Sequence, residues 1–571
     1  MADTKREVER KYEGPLAGGD PALPDLTRVP GVSGVLDKGV ADLDATYYDT
    51  ADQRLAAASL TLRRRTGGDD AGWHLKLPVS EGVRDEIRAP LSDTVPHSLS
   101  ALVRSRVREA ELVPVVRLRS ARDVRHLVDD SGALLAEVSV DHVRAERLSG
   151  GTGVAEWTEI EVELADDGDP AFLDKVEKKL RKAGLTRSSS KSKLAKALAD
   201  TDADIDADAD SVTGTPDTAD TADATDGAGA EQPGKRKGRP ERSERGRSGT
   251  SGRTARTARS RAAGQVEEAE RPGRKKPADT APRTAGDHVL AYLRTQRDAI
   301  IELDPAVRRD LHDSVHSMRV ATRRMRSAFR SYGKVLDRAV TDPIGEELKW
   351  LAGELGVGRD QEVLAERLTE ALDGLPEALL TGPVRDRLRT WSQARGEGSR
   401  RHVIAVLDGG RYLGLLAALD GAVDDPPLLK AAAGDPAKVI AKAVRKDFAK
   451  VSALVDQALG LAPGADRDLA MHEARKKAKR TRYAAEAAVP ALGGSAAGLV
   501  KSMKSLQSLL GDHQDSLMAR EALRDLAAQA HEAGESAFPY GVLYGREERR
   551  AAEVEAALPG VWEAIRGSGA I

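Results

Sequence analysis

Glu7-Val8-Glu9-Arg10-Lys11, almost at the start of the chain, sets two acids and a base at alternate positions. Alternate side chains of a β-strand share a face, so Glu7, Glu9 and Lys11 point one way while Val8 and Arg10 point the other. Carboxylates held side by side repel unless something cationic sits between them, and a divalent metal is the usual answer. The lysine then serves the anion that such a metal carries. Alone, the run also reads as a solvated strand of mixed charge, and the stretches downstream decide between the two.

Residues 1–199 read as β-rich with some helix. Period-two segments run over 45–50, 60–65, 73–77, 84–88, 115–119, 134–140 and 156–164, divided by Gly, Asp, Ser and Pro clusters. Strands at this spacing suggest a sheet closed into a barrel. Charged residues alternate with apolar ones: Arg63 with Arg65, Lys76 between Leu75 and Leu77, Arg84 with Glu86, Arg117 with Arg119, and Glu159, Glu161 and Glu163 opposite Ile160, Val162 and Leu164. A surface sheet would leave these charges in water. A barrel covered by helices on its outside puts them in the lumen, which makes chemical sense if acids gather there around a divalent cation and Lys and Arg around a polyanion. A metal-bound triphosphate fits that description.

The composition sets limits. At 571 residues the chain is too long for one core. It has no cysteine, which removes disulfides, thiolate metal sites and cysteine nucleophiles. The start, Met1-Ala2-Asp3-Thr4-Lys5-Arg6, lacks the apolar core of a signal peptide, and no stretch of about 20 apolar residues follows that could span a bilayer. The expectation is a soluble, cytoplasmic protein with no membrane partner. Net charge is −3 but segregated along the chain, so local basic surfaces are hidden in the total. Aromatics at 3% leave few stacking platforms, and nucleic acid is disfavoured as a partner.

The ordered series Glu-x-Glu-x-Lys, Arg-x-Arg, Lys, Arg-x-Glu, Arg-x-Arg and a late Glu-x-Glu resembles the CYTH domain, or triphosphate tunnel metalloenzyme family, over nearly all of residues 1–198, and Tyr47-Tyr48-Asp49-Thr50 resembles its second-strand signature. The resemblance implies an eight-stranded antiparallel tunnel acting on triphosphates with Mg2+ or Mn2+. Glu7, Glu9, Glu161 and Glu163 would hold the metal, and Glu7, Glu9, Lys11 and Glu161 would form the catalytic set. Lys11, Arg63, Arg65, Lys76, Arg84, Arg117, Arg119 and Lys193 would grip the phosphate chain. Glu86, Glu137 and Asp141 would add acid to the lumen. Lys193 would close the tunnel after a helix over 170–183, although Ser190-Lys191 offers the same dipeptide as Ser192-Lys193. No Walker-type lysine loop is present, which disfavours a P-loop route.

Residues 200–286 are expected to be a disordered charged linker: an Asp/Ala/Thr tract and then an Arg/Lys/Gly/Ser tract, neither with an apolar period. From 287 to 571 the texture is helical and repeats itself. His316-Ser317-Met318-Arg319-Val320-Ala321-Thr322-Arg323-Arg324-Met325-Arg326 aligns without a gap on His472-Glu473-Ala474-Arg475-Lys476-Lys477-Ala478-Lys479-Arg480-Thr481-Arg482. Behind each copy a Leu-Gly pair precedes an Asp: Leu355-Gly356 with Asp360, and Leu510-Gly511 with Asp515. A period of about 155 residues suggests a duplicated helical bundle. His316, Arg319, Arg323, Arg326 and Arg330 share one sector of a helix, as do His472, Arg475, Lys479 and Arg482, each opposite an apolar sector.

This repeat, with Arg482-Tyr483 and Glu486 in the second copy, resembles the CHAD domain, the conserved-histidine α-helical domain. The resemblance implies binding of inorganic polyphosphate by His316, Arg319, Arg323, Arg324, Arg326, Arg330, His472, Arg475, Lys476, Lys479, Arg480 and Arg482. The whole chain is therefore expected to be a multidomain α+β protein: a barrel tunnel with helices, then an all-α region of two repeated bundles. Its expected activity is metal-dependent hydrolysis of inorganic triphosphate or short polyphosphate, joined to polyphosphate binding and association with polyphosphate granules. A nucleoside or thiamine triphosphatase, an adenylate cyclase, and a non-catalytic granule adaptor are the alternatives.

Overall fold

The computed structural model describes residues 3–14, 23–209, 282–396 and 398–567. Nine strands form one antiparallel sheet: β1 (Asp3–Glu13), β2 (Gly34–Asp49), β3 (Thr61–Thr66), β4 (Gly72–Ser80), β5 (Val83–Ala89), β6 (Val113–Val128), β7 (Leu134–Arg147), β8 (Val154–Leu164) and the short β9 (Thr186–Arg187). Their order is β5-β4-β3-β2-β6-β7-β8-β1-β9, and β1 also pairs with β5. β1 closes the barrel by dividing its length: Asp3 to Val8 pair with β5, and Glu9 to Tyr12 pair with β8. The opening Glu-x-Glu-x-Lys run therefore lies at the seam.

α1 (Arg54–Ala57) is a single turn; α2 (His97–Val107), α3 (Ala171–Lys182) and α4 (Lys193–Ala209) are longer. α2 and α3 cover the outside because the outward residues are apolar. Phe172, Leu173, Val176 and Leu180 recur at helical spacing on α3 and pack against Tyr12, Ile160, Val162 and Leu164. Each such buried side chain contributes on the order of 2 kcal/mol. Leu99, Leu102 and Val103 of α2 cover Trp73, Leu75 and Ile87, while Leu194, Ala197 and Leu198 of α4 pack on Val116, Leu118 and Val143, which share the inward face of Arg122 and Asp141, so α4 plugs one end of the barrel. With the apolar face committed outward, alternation forces the charged set inward.

The predicted strand over 45–50 is only the end of a longer one. β2 starts at Gly34 and pairs along its length with β6. Its first half, Gly34-Val35-Leu36-Asp37-Lys38-Gly39-Val40, has Leu36 and Val40 exposed, so no buried face imposes a period of two. The linker expected over 200–286 lies for the most part, over 210–281, outside the described residues. α4, anchored on the barrel, continues through Ala209.

The helical region comprises α5 (Ala285–Arg308), α6 (Ser314–Ser331), α7 (Arg338–Glu354), α8 (Arg359–Asp373), α9 (Val384–Gly396), α10 (Ser399–Asp408), α11 (Gly410–Asp424), α12 (Pro436–Gly460), α13 (Ala465–Leu492), α14 (Gly494–Glu532) and α15 (Phe538–Gly567). α5 begins at a capping box, with the Thr284 hydroxyl accepting from the Asp287 N–H and the Asp287 carboxylate accepting from the Thr284 N–H. The two repeated helices, α6 and α13, meet in one core, where the Tyr332 hydroxyl donates to the Ala484 carbonyl at 2.6 Å. Among the described residues no single helix is long and apolar enough to cross a membrane.

Barrel and helices join as one compact unit. The Ser105 hydroxyl of α2 donates to the Ile301 carbonyl of α5 at 3.2 Å, Arg108 pairs with Asp420 at 3.0 Å, and Arg309 pairs with Asp85 of β5 at 2.9 Å.

Candidate active site in the barrel lumen and candidate anion groove

The lumen holds a cavity of about 170 Å³. Glu7, Glu9 and Lys11 of β1 line it with Arg63 and Arg65 of β3, Lys76 of β4, Arg84, Glu86 and Arg88 of β5, Glu161 and Glu163 of β8, and Lys193 at the start of α4. Register explains the grouping. Glu7 stands across from Arg84, Glu9 across from Glu163, and Lys11 across from Glu161, so these side chains share the inner face.

Two of the predicted phosphate ligands are elsewhere. Arg117 and Arg119 lie on the outer face of β6, where both approach Asp44; the Arg117 Nε donates to Asp44 Oδ1 at 2.9 Å. The reason is parity: Arg117 is opposite Thr46 and Glu146, whereas the inward residues of β6 include Arg122, which is opposite Asp141. Arg122 takes the inner place, 2.7 Å from Asp141 and 2.6 Å from Glu161. The signal in the sequence misleads, because of the basic residues at 117, 119, 122 and 125 three share the outward parity and Arg122 alone has the inward one. Lys5 and Arg88, also in the lumen, were legible as extensions of Glu-x-Glu-x-Lys and Arg-x-Glu by two residues. The choice between the two Ser-Lys dipeptides resolves to Lys193. Lys191 is exposed, and its carbonyl accepts from Arg84.

The Lys193 ammonium sits 3.0 Å from Asp141, 2.6 Å from Glu159 and 2.7 Å from Glu161. Lys11 pairs with Glu161 and lies 3.7 Å from Glu9, and Lys76 is 2.6 Å from Glu7. Burial opposes ionisation of Glu161, yet Lys11, Lys193 and Arg122 hold its carboxyl well below the usual carboxylate range. Glu7 behaves in the opposite way. Burial, with Glu86 and Glu163 nearby, pushes it up despite Lys76. Its lysine partner at 2.6 Å does not offset that burial.

A count shows why an anion alone does not suit this lumen. Nine lysines and arginines line the cavity against seven carboxylates, and Asp141 and Glu159 behind Lys193 make nine. The lumen is balanced, so a polyanion gains full use of the cations only if something else takes up the acids. A divalent ion bound by carboxylate oxygens does so, and Glu7, Glu9, Glu161 and Glu163 offer the hard oxygen donors that Mg2+ and Mn2+ prefer. Asp141, Glu159 and Glu161 also stand close enough together to ligate an ion, but the Lys193 ammonium is already among them. Glu7 and Glu163 each pair with one lysine, Lys76 at 2.6 Å and Lys5 at 2.7 Å, where Glu161 meets Lys11, Lys193 and Arg122, so they are freer to ligate a metal.

In the helical region the two predicted stripes converge. Burial and the neighbouring Arg323, Arg475, Arg482 and Arg319 together push the Lys479 ammonium down to about 8. α6 and α13 therefore pool their cations at one place. Each leading arginine rests on the glycine that the repeat places behind it. A Cβ on Gly356 would come within 2.6 Å of the Arg319 guanidinium, and one on Gly511 would lie 3.5 Å from that of Arg475. Other members of the expected set are committed to acids: Arg324 to Glu486 at 2.9 Å, Arg480 to Asp447, Lys476 to Glu473 at 2.7 Å, and Arg326 and Arg330 to Glu346 at 3.6 and 3.0 Å. Sequence periodicity missed Glu486, Asp447 and Glu346 because they come from other helices, whereas Glu473 stands three residues before Lys476 on α13 itself. His316 is exposed and His472 is half-buried on the same stripes. The side chain of Asp360 lies outside the described residues.

Comparison with known proteins agrees with this architecture. Residues 5–198 match the CYTH domain and residues 291–524 the CHAD domain. Uncharacterized proteins from two strains of Mycobacterium tuberculosis, one of them CDC 1551 / Oshkosh, are each 33% identical over 581 residues, spanning 98% of this chain and 97% of theirs. Among solved structures, the CHAD domain from the plant Ricinus communis is 25% identical, covering 49% of this chain and 92% of that one, with a TM-score of 0.37. A protein from Hippeastrum, described as a putative adenylyl cyclase with a dominant triphosphatase activity, is 19% identical over 34% of this chain and 95% of its own, with a TM-score of 0.20.

Proposed function

Since this chain belongs to the CYTH-domain family and carries a CHAD domain behind its tunnel, we propose that it hydrolyses inorganic triphosphate or short polyphosphate in the lumen and holds inorganic polyphosphate on the helical groove. The observation that carries the reading is the balanced lumen, in which Glu7 and Glu163 each pair with one lysine. Such a site takes in a metal and a polyanion together, each supplying what the other's ligands lack.

Glu7, Glu9, Glu161 and Glu163 would hold Mg2+ or Mn2+, which when bound supplies Lewis acidity toward phosphoryl oxygens. The chain's own side chains do the rest. Arg63, Arg65, Lys76 and Arg84 orient the phosphate chain, with Lys5, Arg88 and Arg122 around them. Lys11 and Lys193 keep Glu161 ionised, and Lys193 closes one end of the lumen. The attacking water donates its hydrogen bond to a lumen carboxylate, and the cations stabilise charge on the leaving phosphate. The remainder of the proposal is a cytoplasmic protein at polyphosphate stores.

The test is phosphate release by the intact protein across inorganic triphosphate, ATP and thiamine triphosphate with Mg2+ or Mn2+. Preference for inorganic triphosphate supports the reading; preference for an organic triphosphate, or pyrophosphate release from ATP, replaces it.

A further inference from the structure

Behind the basic stripe of α13 lies a cluster that neither the tunnel nor the groove uses. His513 of α14 is 2% exposed, and its Nε2 makes no hydrogen bond among the described residues. That nitrogen points between two carboxylates, 3.3 Å from Asp468 Oδ1 on α13 and 3.5 Å from Glu555 Oε1 on α15. One ligand atom from each of the three residues lies within 4.8 Å of the others.

These spacings suit an ion better than a hydrogen bond. Two donors each about 2.1 Å from a tetrahedral ion stand about 3.4 Å apart, close to both observed separations, whereas a good N–H···O bond is nearer about 2.9 Å. The carboxylate of Glu555 is also held from behind, since Arg467 Nη1 lies 3.4 Å from its Oε2 while Oε1 turns to His513. An outer partner of this kind orients a first ligand. Glu555 lies beyond the stretch that matches the CHAD domain, so the cluster is completed by α15.

We propose that Asp468, His513 and Glu555 form a binding site for a divalent first-row transition ion, with zinc favoured by the one-nitrogen, two-oxygen donor set. Three protein ligands leave one tetrahedral position for an outside oxygen. The ion ties α13, α14 and α15 together next to the groove: Asp468 is one helical turn before His472 on α13, and Gln514, the neighbour of His513, hydrogen-bonds to His472. The site is independent of the tunnel's reaction.

The experiment titrates the intact, metal-stripped protein with Co2+, followed by visible absorption and equilibrium dialysis, in wild type, His513→Gln and Asp468→Asn. Circular dichroism reports folding; Asp468 is partly exposed and gives a second variant if the buried histidine tolerates no change. The wild type is expected to bind one more Co2+ per chain than either variant, with an absorption band that both lose. Added Zn2+ should raise the Tm of the wild type only. Equal Co2+ stoichiometry and equal Zn2+ response in the wild type and a folded variant would overturn the site and leave His513 as a buried neighbour of its two carboxylates.

Discussion

Lys193, in the first turn of the helix that plugs one end of the barrel, places its ammonium 2.6 Å from Glu159 and 2.7 Å from Glu161 on β8. One lysine thus links the helix that seals the tunnel to the acids inside it. Removing it with Lys193→Met leaves buried carboxylates with less compensation, so their pKa values rise. The acid limb of the pH profile of hydrolysis should move to higher pH, because these groups must lose their protons to work. An acid limb that stays in place would show that Lys193 closes the tunnel without tuning its acids.

Arg63 and Arg117 separate the two faces of the wall. Arg63→Ala removes a lumen cation 3.6 Å from Glu86, and KM for triphosphate should rise by about tenfold or more. Arg117→Ala removes only an outer ion pair with Asp44, at no more than about 1 kcal/mol of stability, and kinetics should stay unchanged. Steady-state kinetics of both variants check the assignment, and equal effects would contradict the inward and outward division.

The glycines of the repeat make a second contrast. Gly356→Ala puts a methyl group against the Arg319 guanidinium and should weaken polyphosphate binding, whereas Gly511→Ala meets Arg475 at ordinary contact distance and should be tolerated. Isothermal titration with long-chain polyphosphate reads both. Equal losses would mean that the glycines act through the backbone and not through the arginines.

Lys479 gives the groove a pH dependence with a definite sign. Its ammonium is held down to about 8 by burial and four arginines. Anion binding needs the protonated form, so affinity should be full below pH 8 and fall as pH rises through it. Lys479→Arg stays charged throughout and should flatten the curve. A wild-type affinity that is constant from pH 7 to 9 would contradict the crowding of cations at this position.

The barrel was legible because its strands alternate strictly: Trp73, Leu75 and Leu77 face a helix while His74 and Lys76 face the lumen, and the pattern can be read without a structure. The site failed to read where alternation was broken or diluted. On β6 the register shifts between Tyr47 and Tyr48 of its partner strand, and basic residues occupy both parities, so Arg117 and Arg119 looked inward and Arg122 was overlooked. Two stripes were visible in the helices, but ion pairing to Glu346 and Asp447 depends on which helices pack beside them, and no periodicity within one helix carries that information. His513 and its two acids come from three helices and were invisible for the same reason.

Phosphate release from inorganic triphosphate by the intact protein, with Mg2+ and then with chelator, in wild type and Glu9→Gln, bears most directly on the tunnel. Glu9 is buried, faces the lumen and pairs with Lys11 and Arg84. The account predicts Mg2+-dependent release by the wild type, lost with chelator and reduced by about 100-fold or more in Glu9→Gln with the fold retained. Release that is indifferent to metal, or unchanged in Glu9→Gln, would contradict it.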